Sequence, residues 1–235
     1  MNSLTNAVLT ELYSKANSKN VEGMKRYGIT STKKVLGVSA KPLFAMAKRI
    51  GKNTDLAIEL WKTGVYEARI LSTIIADPNK IKKSTINAWI KDFDNWAICD
   101  CACMHCFRDT PYAHELAVKW VKRKQEFVRR AGFSMIATLS VNDKKEDDKV
   151  FIKYLPLVKK YAADERQYVK KAVNWALRQI GKRSLYCNPY AVKAAKEIKK
   201  MNSPSAKWIA SDALRELQSP AVKKRLKTWA KRQKK

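Results

Sequence analysis

Three alanines at positions 131, 172 and 213 occupy corresponding places in VRRAGFSMIATL, VKKAVNWALRQIG and AKWIASDALREL, two equal steps of 41 residues. A recurrence of that length belongs to the HEAT and armadillo range. Each such unit is a helix pair that cannot bury its apolar face alone and is stable only when stacked on its neighbours. YEARILSTIIA has the same pattern, but Ala68 to Ala131 spans 63 residues, so an irregular unit containing Trp96 intervenes. Apolar residues recur at three- and four-residue spacing almost throughout, and glycine is scarce, seven in 235 residues. Helices therefore dominate and strands have little room. The expected fold is an all-α, HEAT-like or armadillo-type solenoid of antiparallel helix pairs, whose inner helices line a concave groove.

Punctuation between the helices is legible. Ser39 and Pro42 precede LFAMAKRI, Thr54 is the expected N-cap of DLAIELWKTG, Gly64 ends that helix, and Asp77-Pro78 closes YEARILSTIIA. Later starts are expected at Ser84, Asp94, Thr110-Pro111, Ser203-Pro204 and Ser219-Pro220. The polar run VNDKKEDDK, residues 141–149, reads as a loop between hairpins, and KKRLKTWAKRQKK at the end reads as a basic helix that frays. A single domain over residues 1–235 is expected.

Lys and Arg number 49 against 21 Asp and Glu, a formal charge of +28, with both signs interspersed among 46% apolar residues. That composition folds, so the excess is displayed on a folded surface. Such a surface suits phosphate backbones, which makes the groove basic and nucleic acid the expected partner. No apolar span or compact basic amphipathic anchor points to a membrane, and the first residues lack the pattern of a secretory signal. An intracellular, cytoplasmic and DNA-associated protein is expected. Five cysteines fit that compartment better than a disulfide framework. Cys99, Cys101, Cys103 and Cys106 lie near His105, but on a helix Cys101 points away from the other three and paired C-x-x-C knuckles are missing. They read as small apolar side chains, with no metal site expected.

Trp96 and Asp100 are four residues apart in DNWAICDCAC, and further along stand Arg130 in EFVRRAGF and Trp175 in VKKAVNWALRQIGKR. Positions i and i+4 share one face of a helix, so an indole and a carboxylate project side by side. An aromatic face beside an anion suits a cationic ligand. In a chain that seeks polyanions, that cation is expected to be a damaged base within a nucleic acid. Lys170, Lys171 and Arg178 flank Trp175 and are candidate phosphate contacts, with Lys170 and Lys171 diverging by about 100° around a helix. Trp61, Trp89, Trp120, Trp208 and Trp229 are expected to pack. Of Arg129 and Arg130, one is expected to point outward and one toward the groove. His105 and His114 form no recognisable triad.

The ordered series MKRYGI, GVSAKPLFAMAKRI, ELWKTGVYEAR, DFDNW, CD, EFVRRAGF, DERQYVKKAVNWALRQIGKR and WIASDALREL resembles the AlkD-type DNA alkylation repair glycosylases, which are HEAT-like repeat proteins, over nearly the whole chain. The resemblance implies removal of cationic N3- and N7-alkylated purines from duplex DNA by hydrolysis of the N-glycosidic bond, with no metal or organic cofactor. It also implies that Trp96 and Trp175 are the active-site tryptophans, Asp100 the catalytic aspartate and Arg130 the active-site arginine. One departure is visible, since Ala97 follows Trp96 where many members have Trp-Asp. The expectation is a monomeric, monofunctional glycosylase that leaves an abasic site, because its centre has a carboxylate and no lysine nucleophile. A noncatalytic HEAT-repeat scaffold that binds DNA or RNA is the alternative.

Overall fold

A computed structural model of the chain describes residues 3–232. The end of the terminal basic segment, residues 233–235, lies outside the described residues. Every regular element among the described residues is helical, and the only bridge of strand type joins Lys34 to Val65. Contacts gather the chain into two compact units, Met1–Ala113 and His114–Lys235.

The first unit contains α1 (Ser3–Ser14), α2 (Ser18–Arg26), α3 (Ala40–Ile50), α4 (Thr54–Lys62), α5 (Tyr66–Ile75), α6 (Lys83–Trp89) and α7 (Trp96–His105), with 3-10 turns at Ile90–Asp92 and Phe107–Asp109. Helix α5 packs against α3, α4 and α7 and is buried nearly all round. Its polar residues must therefore find partners inside the protein. The Glu67 carboxylate accepts from the amides of Leu36 at 2.9 Å and Gly37 at 2.6 Å, and Arg69 donates to the Trp61 carbonyl and to Asp92. Trp61 and Trp89 stack at 4.3 Å, confirming both as packing residues. The irregular unit expected around Trp96 is α6, α7 and the two 3-10 turns.

Two expected caps are displaced by one residue, each for a visible reason. The Thr54 hydroxyl accepts from the Asp77 amide, and Asn53 caps α4 instead through the Leu56 amide. Asp94 accepts from the Ser31 hydroxyl and the Thr32 amide, which leaves Asn95 to cap α7.

The second unit comprises α8 (Ala113–Val121, beginning at its edge), α9 (Glu126–Asn142), α10 (Asp148–Ile152), α11 (Leu155–Lys160), α12 (Gln167–Arg183), α13 (Cys187–Lys199), α14 (Pro204–Leu217) and α15 (Pro220–Arg232). The 41-residue period is realised as a row of three helices, with α12 packed between α9 and α14. Ala131, Ala172 and Ala213 are fully buried, one on each member. Small side chains let the helices approach. An added Cβ at Gly132 would come within 2.5 Å of the Val121 nitrogen. Successive repeats are stitched by polar bonds between residues 38 apart, the period less about one turn: Arg130 to the Tyr168 carbonyl, Lys159 to Glu197, Ser203 to Glu165, Asn174 to Asp212 and Arg178 to Glu216.

The run 141–149 is shorter as a loop than its polarity suggests. Helix α9 continues to Asn142, and Asp147 caps α10 by accepting from the Lys149 amide. Buried Arg183 closes the loop, donating to the carbonyls of Ser140, Asp143 and Glu146 and to Asp148.

Candidate functional site

Helix α7 begins at Trp96 because the Asn95 side chain accepts from the amides of Ala97 and Ile98. That cap puts the indole in the first turn and Asp100 one turn on. The remaining faces of α7 have other duties. Ile98, Cys99, Ala102 and Cys103 are buried against the unit, while Trp96 and Asp100 are half-buried and Met104, on the same stripe, is exposed. The Trp96 indole N–H donates to the Tyr27 carbonyl at 3.0 Å, which fixes the ring's edge to the end of α2.

Ala97 and Cys101 form a third face of α7. They line a cavity of about 490 Å³ within the first unit, walled also by Tyr27, Phe44, Tyr66 and Ile70. Its lining is largely apolar, which gives Ala97 a physical meaning. A carboxylate there would project into space with little to solvate it. Burial pushes the Cys101 thiol up to about 11, with the Thr73 hydroxyl opposing and the Asp100 charge adding to the rise. Burial likewise pushes Cys106 up to about 12. Neither is a thiolate at neutral pH, so neither is poised as a nucleophile. Among the described residues no group of three or more His, Cys, Asp or Glu gathers in a way that could hold a metal ion.

In the second unit, Arg130 on α9 is buried, and its guanidinium donates to the Tyr168 carbonyl at 2.8 Å. Arg129 is held as well, paired with Asp164 at 2.7 Å and lying over the Tyr161 ring. Both arginines are thus tied into the unit, in place of one pointing to solvent. Trp175 is half-buried on α12, the neighbouring helix of the row. Each unit therefore holds one pair of the four sequence-expected residues, Trp96 with Asp100 on one helix and Arg130 with Trp175 on packed helices.

The three flanking cations differ in their surroundings. Arg178 is paired with Asp212 and Glu216, and Lys182 with Glu216, so the Arg178 charge is largely offset inside the unit. Lys171 is exposed, and no carboxylate pairs with it among the described residues. The Lys170 ammonium sits 5.3 Å over the Trp208 ring. Trp208 itself is 44% exposed, against the packing role expected for it. A signal for this was present in the sequence. The 41-residue register puts Trp208 in the column of Gln167 and Glu126, a polar column at the start of each helix. Trp120 is buried as expected, and Trp229 is half-buried under Lys144. His114 bridges the Tyr154 hydroxyl at 2.6 Å and Asp143 at 2.9 Å, a structural tie whose tyrosine is pushed up by burial and is no nucleophile.

No helix of the described residues is long and apolar enough to cross a membrane. No curated protein matches the sequence. Among solved structures, one described as "a new family of proteins related to the HEAT-like repeat DNA glycosylases with affinity for branched DNA structures" superposes with a TM-score of 0.72. The match is at 24% identity, covering 90% of this chain and 94% of the other, and establishes the HEAT-like fold. The family model described as "DNA alkylation repair enzyme" matches residues 8–217, which takes in α7, α9 and α12, and the chain accordingly belongs to that family.

Proposed function

We propose that the protein is a monofunctional DNA glycosylase that hydrolyses the N-glycosidic bond of cationic N3- or N7-alkylated purines in duplex DNA and leaves an abasic site. The observation that carries this reading is the α7 stripe. An indole anchored by its N–H and a carboxylate one turn away are its half-buried members, on a helix whose neighbouring faces are given to packing and to an apolar cavity. Alkylation at N7 or N3 places a positive charge on the purine and makes it a good leaving group, so the reaction needs no acid to protonate the base. What it needs is a fixed negative charge where the deoxyribose becomes oxocarbenium-like, and a base to orient or activate water. Asp100 is the group assigned to both tasks.

The indoles of Trp96 and Trp175 would face the cationic nucleotide, each such contact contributing about 0.5–2 kcal/mol. Arg130, held by its bond to the Tyr168 carbonyl, is assigned to the backbone phosphate flanking the lesion. Lys171 is assigned as a phosphate contact on the duplex, with Lys170 turned about 100° away toward Trp208; Arg178 would first have to loosen its carboxylate pairs. Alkylated duplex DNA is the proposed substrate, the monomer the proposed working form, and no cofactor is invoked.

The second reading, a noncatalytic DNA- or RNA-binding repeat protein, is favoured by one observation, the branched-DNA affinity ascribed to the structural neighbour. One experiment separates the two: release of free base from duplex DNA containing N7-methylguanine, under single-turnover conditions, by the intact protein and by Asp100→Asn. Release by the first, falling about 10²-fold or more in the second, is expected if a placed charge carries the reaction. Equal release by both would remove Asp100 from its role. Binding without release by either would favour the noncatalytic reading.

A further inference from the structure

The seam between α12 and α14 is a ladder of paired side chains with one rung unlike the rest. Asn174 donates to Asp212, Arg178 pairs with Asp212 and Glu216, and Lys182 pairs with Glu216. In these rungs, a donor on α12 meets a carboxylate on α14. At the start of the two helices the carboxylate is replaced by an indole, with the Lys170 ammonium 5.3 Å from the Trp208 ring centroid. An aromatic face holds a cation without cancelling its charge. The rung therefore presents a large planar surface, 44% exposed, and a cation still able to meet an anion.

Its surroundings fit a phosphate chain. Residues 114–235 hold 32 of the 49 Lys and Arg but only 11 of the 21 Asp and Glu. The starts of the three helices in the row lie side by side: Arg166 donates to the Lys124 carbonyl ahead of α9, and Ser205 donates to the Asp164 carbonyl ahead of α12. The nearby carboxylates are already engaged, Asp164 by Arg129 and Arg166, and Glu165 by the hydroxyl of Ser203 and the amide of Ser205. Glu165 also lies close enough to Lys170 to feel its charge, but forms no ion pair with it.

We propose that Trp208 and Lys170 form a second nucleic-acid contact, a shelf on which an unpaired base stacks while the ammonium meets its phosphate. The contact is separate from Trp96 and Asp100 and recognises unstacked nucleotides beside a duplex, such as a single-stranded tail or a strand discontinuity. A base already stacked between neighbours cannot present its face to an indole, so the shelf distinguishes unpaired from paired DNA. This rests on the reading of the chain as DNA-binding.

The test compares binding of a fluorescent blunt duplex with the same duplex carrying a short unpaired tail, at one fixed salt concentration. The proteins are the intact chain, Trp208→Ala, Trp208→Phe and Lys170→Ala. The intact protein should prefer the tailed DNA by about tenfold or more. Trp208→Ala should lose that preference and Trp208→Phe keep most of it. Lys170→Ala should lower the salt dependence on tailed DNA by roughly one counterion relative to blunt DNA. Equal affinity of the intact protein for both DNAs, or loss by the same factor on both in Trp208→Ala, would overturn the shelf. Base release from N7-methylguanine in the blunt duplex is followed in parallel. Its absence in the intact protein would count against the glycosylase reading while the tail comparison still decides the shelf.

Discussion

Glu67→Gln is the substitution with the clearest consequence for the first unit. Glu67 is fully buried on α5, and its two oxygens each accept from a backbone amide, Leu36 at 2.9 Å and Gly37 at 2.6 Å. Glutamine keeps the volume but offers one oxygen and one NH2 group. One charge-assisted bond is lost, at about 1.5–3 kcal/mol, and a buried amide is left facing a donor, at a further ~1–3 kcal/mol. A destabilisation of about 2.5–6 kcal/mol follows. In urea titrations monitored by circular dichroism, with a slope of about 2–3 kcal/mol per molar, the first unit's midpoint should fall by about 1–3 M. The damage should spread along a traceable route. Leu36 also accepts from the Asn17 amide, Asn17 caps α2, and the Tyr27 carbonyl just after α2 holds the Trp96 indole. Hydrogen exchange should therefore rise in α2 before it rises in α4. Glu22→Gln on the exposed face of α2, where the carboxylate pairs only with Lys25, should change stability by less than about 0.5 kcal/mol. A Glu67→Gln protein whose midpoint falls by less than about 0.3 M would refute the reasoning.

Two further outcomes follow from packing and charge. Gly132→Ala places a Cβ 2.5 Å from the Val121 nitrogen and 3.0 Å from the Ala117 carbonyl oxygen, neither of which can rotate away, so calorimetry should show a loss of about 1–3 kcal/mol or more. Gly23→Ala in α2 meets nothing within 4 Å and should be neutral or stabilising by up to about 1 kcal/mol. For Asp164, burial raises the carboxyl, but the hydrogen bonds from Arg166 and Arg129 outweigh it and hold the group below its ordinary range. A depressed folded value means that its stabilisation is present above the unfolded value of about 3.9 and is lost as pH falls through the folded one. Asp164→Asn should therefore flatten the acid limb of thermal stability below about pH 4 and leave the slope between about pH 6 and 8 unchanged.

The alanine period in the sequence located α9, α12 and α14 because a column of small buried residues is a local property that recurs. Helix starts were legible to within a residue or two. The misses at Thr54 and Asp94 arose because both side chains are claimed by distant partners, the Asp77 amide and Ser31 with Thr32. No pattern of propensity announces a bond across 23 residues, as at Thr54, or across 62 and 63, as at Asp94. Trp208 was misread for the opposite reason. A lone tryptophan in a helix suggests packing, and only its alignment in a column of polar residues reveals that it faces water. The Trp96 and Asp100 stripe could be drawn on a helical wheel. The apolar cavity on the adjoining face could not, because α2, α3 and α5 supply its other walls.

The stitches between successive repeats also make the length of the array a determinant of its chemistry. Helix α14 carries none of the four candidate active-site residues, yet its Asp212 and Glu216 are the counter-ions of Arg178 and Lys182 on the helix that carries Trp175. An array ending after α13 would leave those cations bare. Beside Trp175 the field would become more positive, although the array as a whole would lose, with residues 204–235, ten Lys and Arg and only two acidic residues, so the local change and the total charge would move in opposite directions. Asp212 and Glu216 thus act as local counterweights within a basic segment, and removing those two carboxylates alone would trade selectivity for grip.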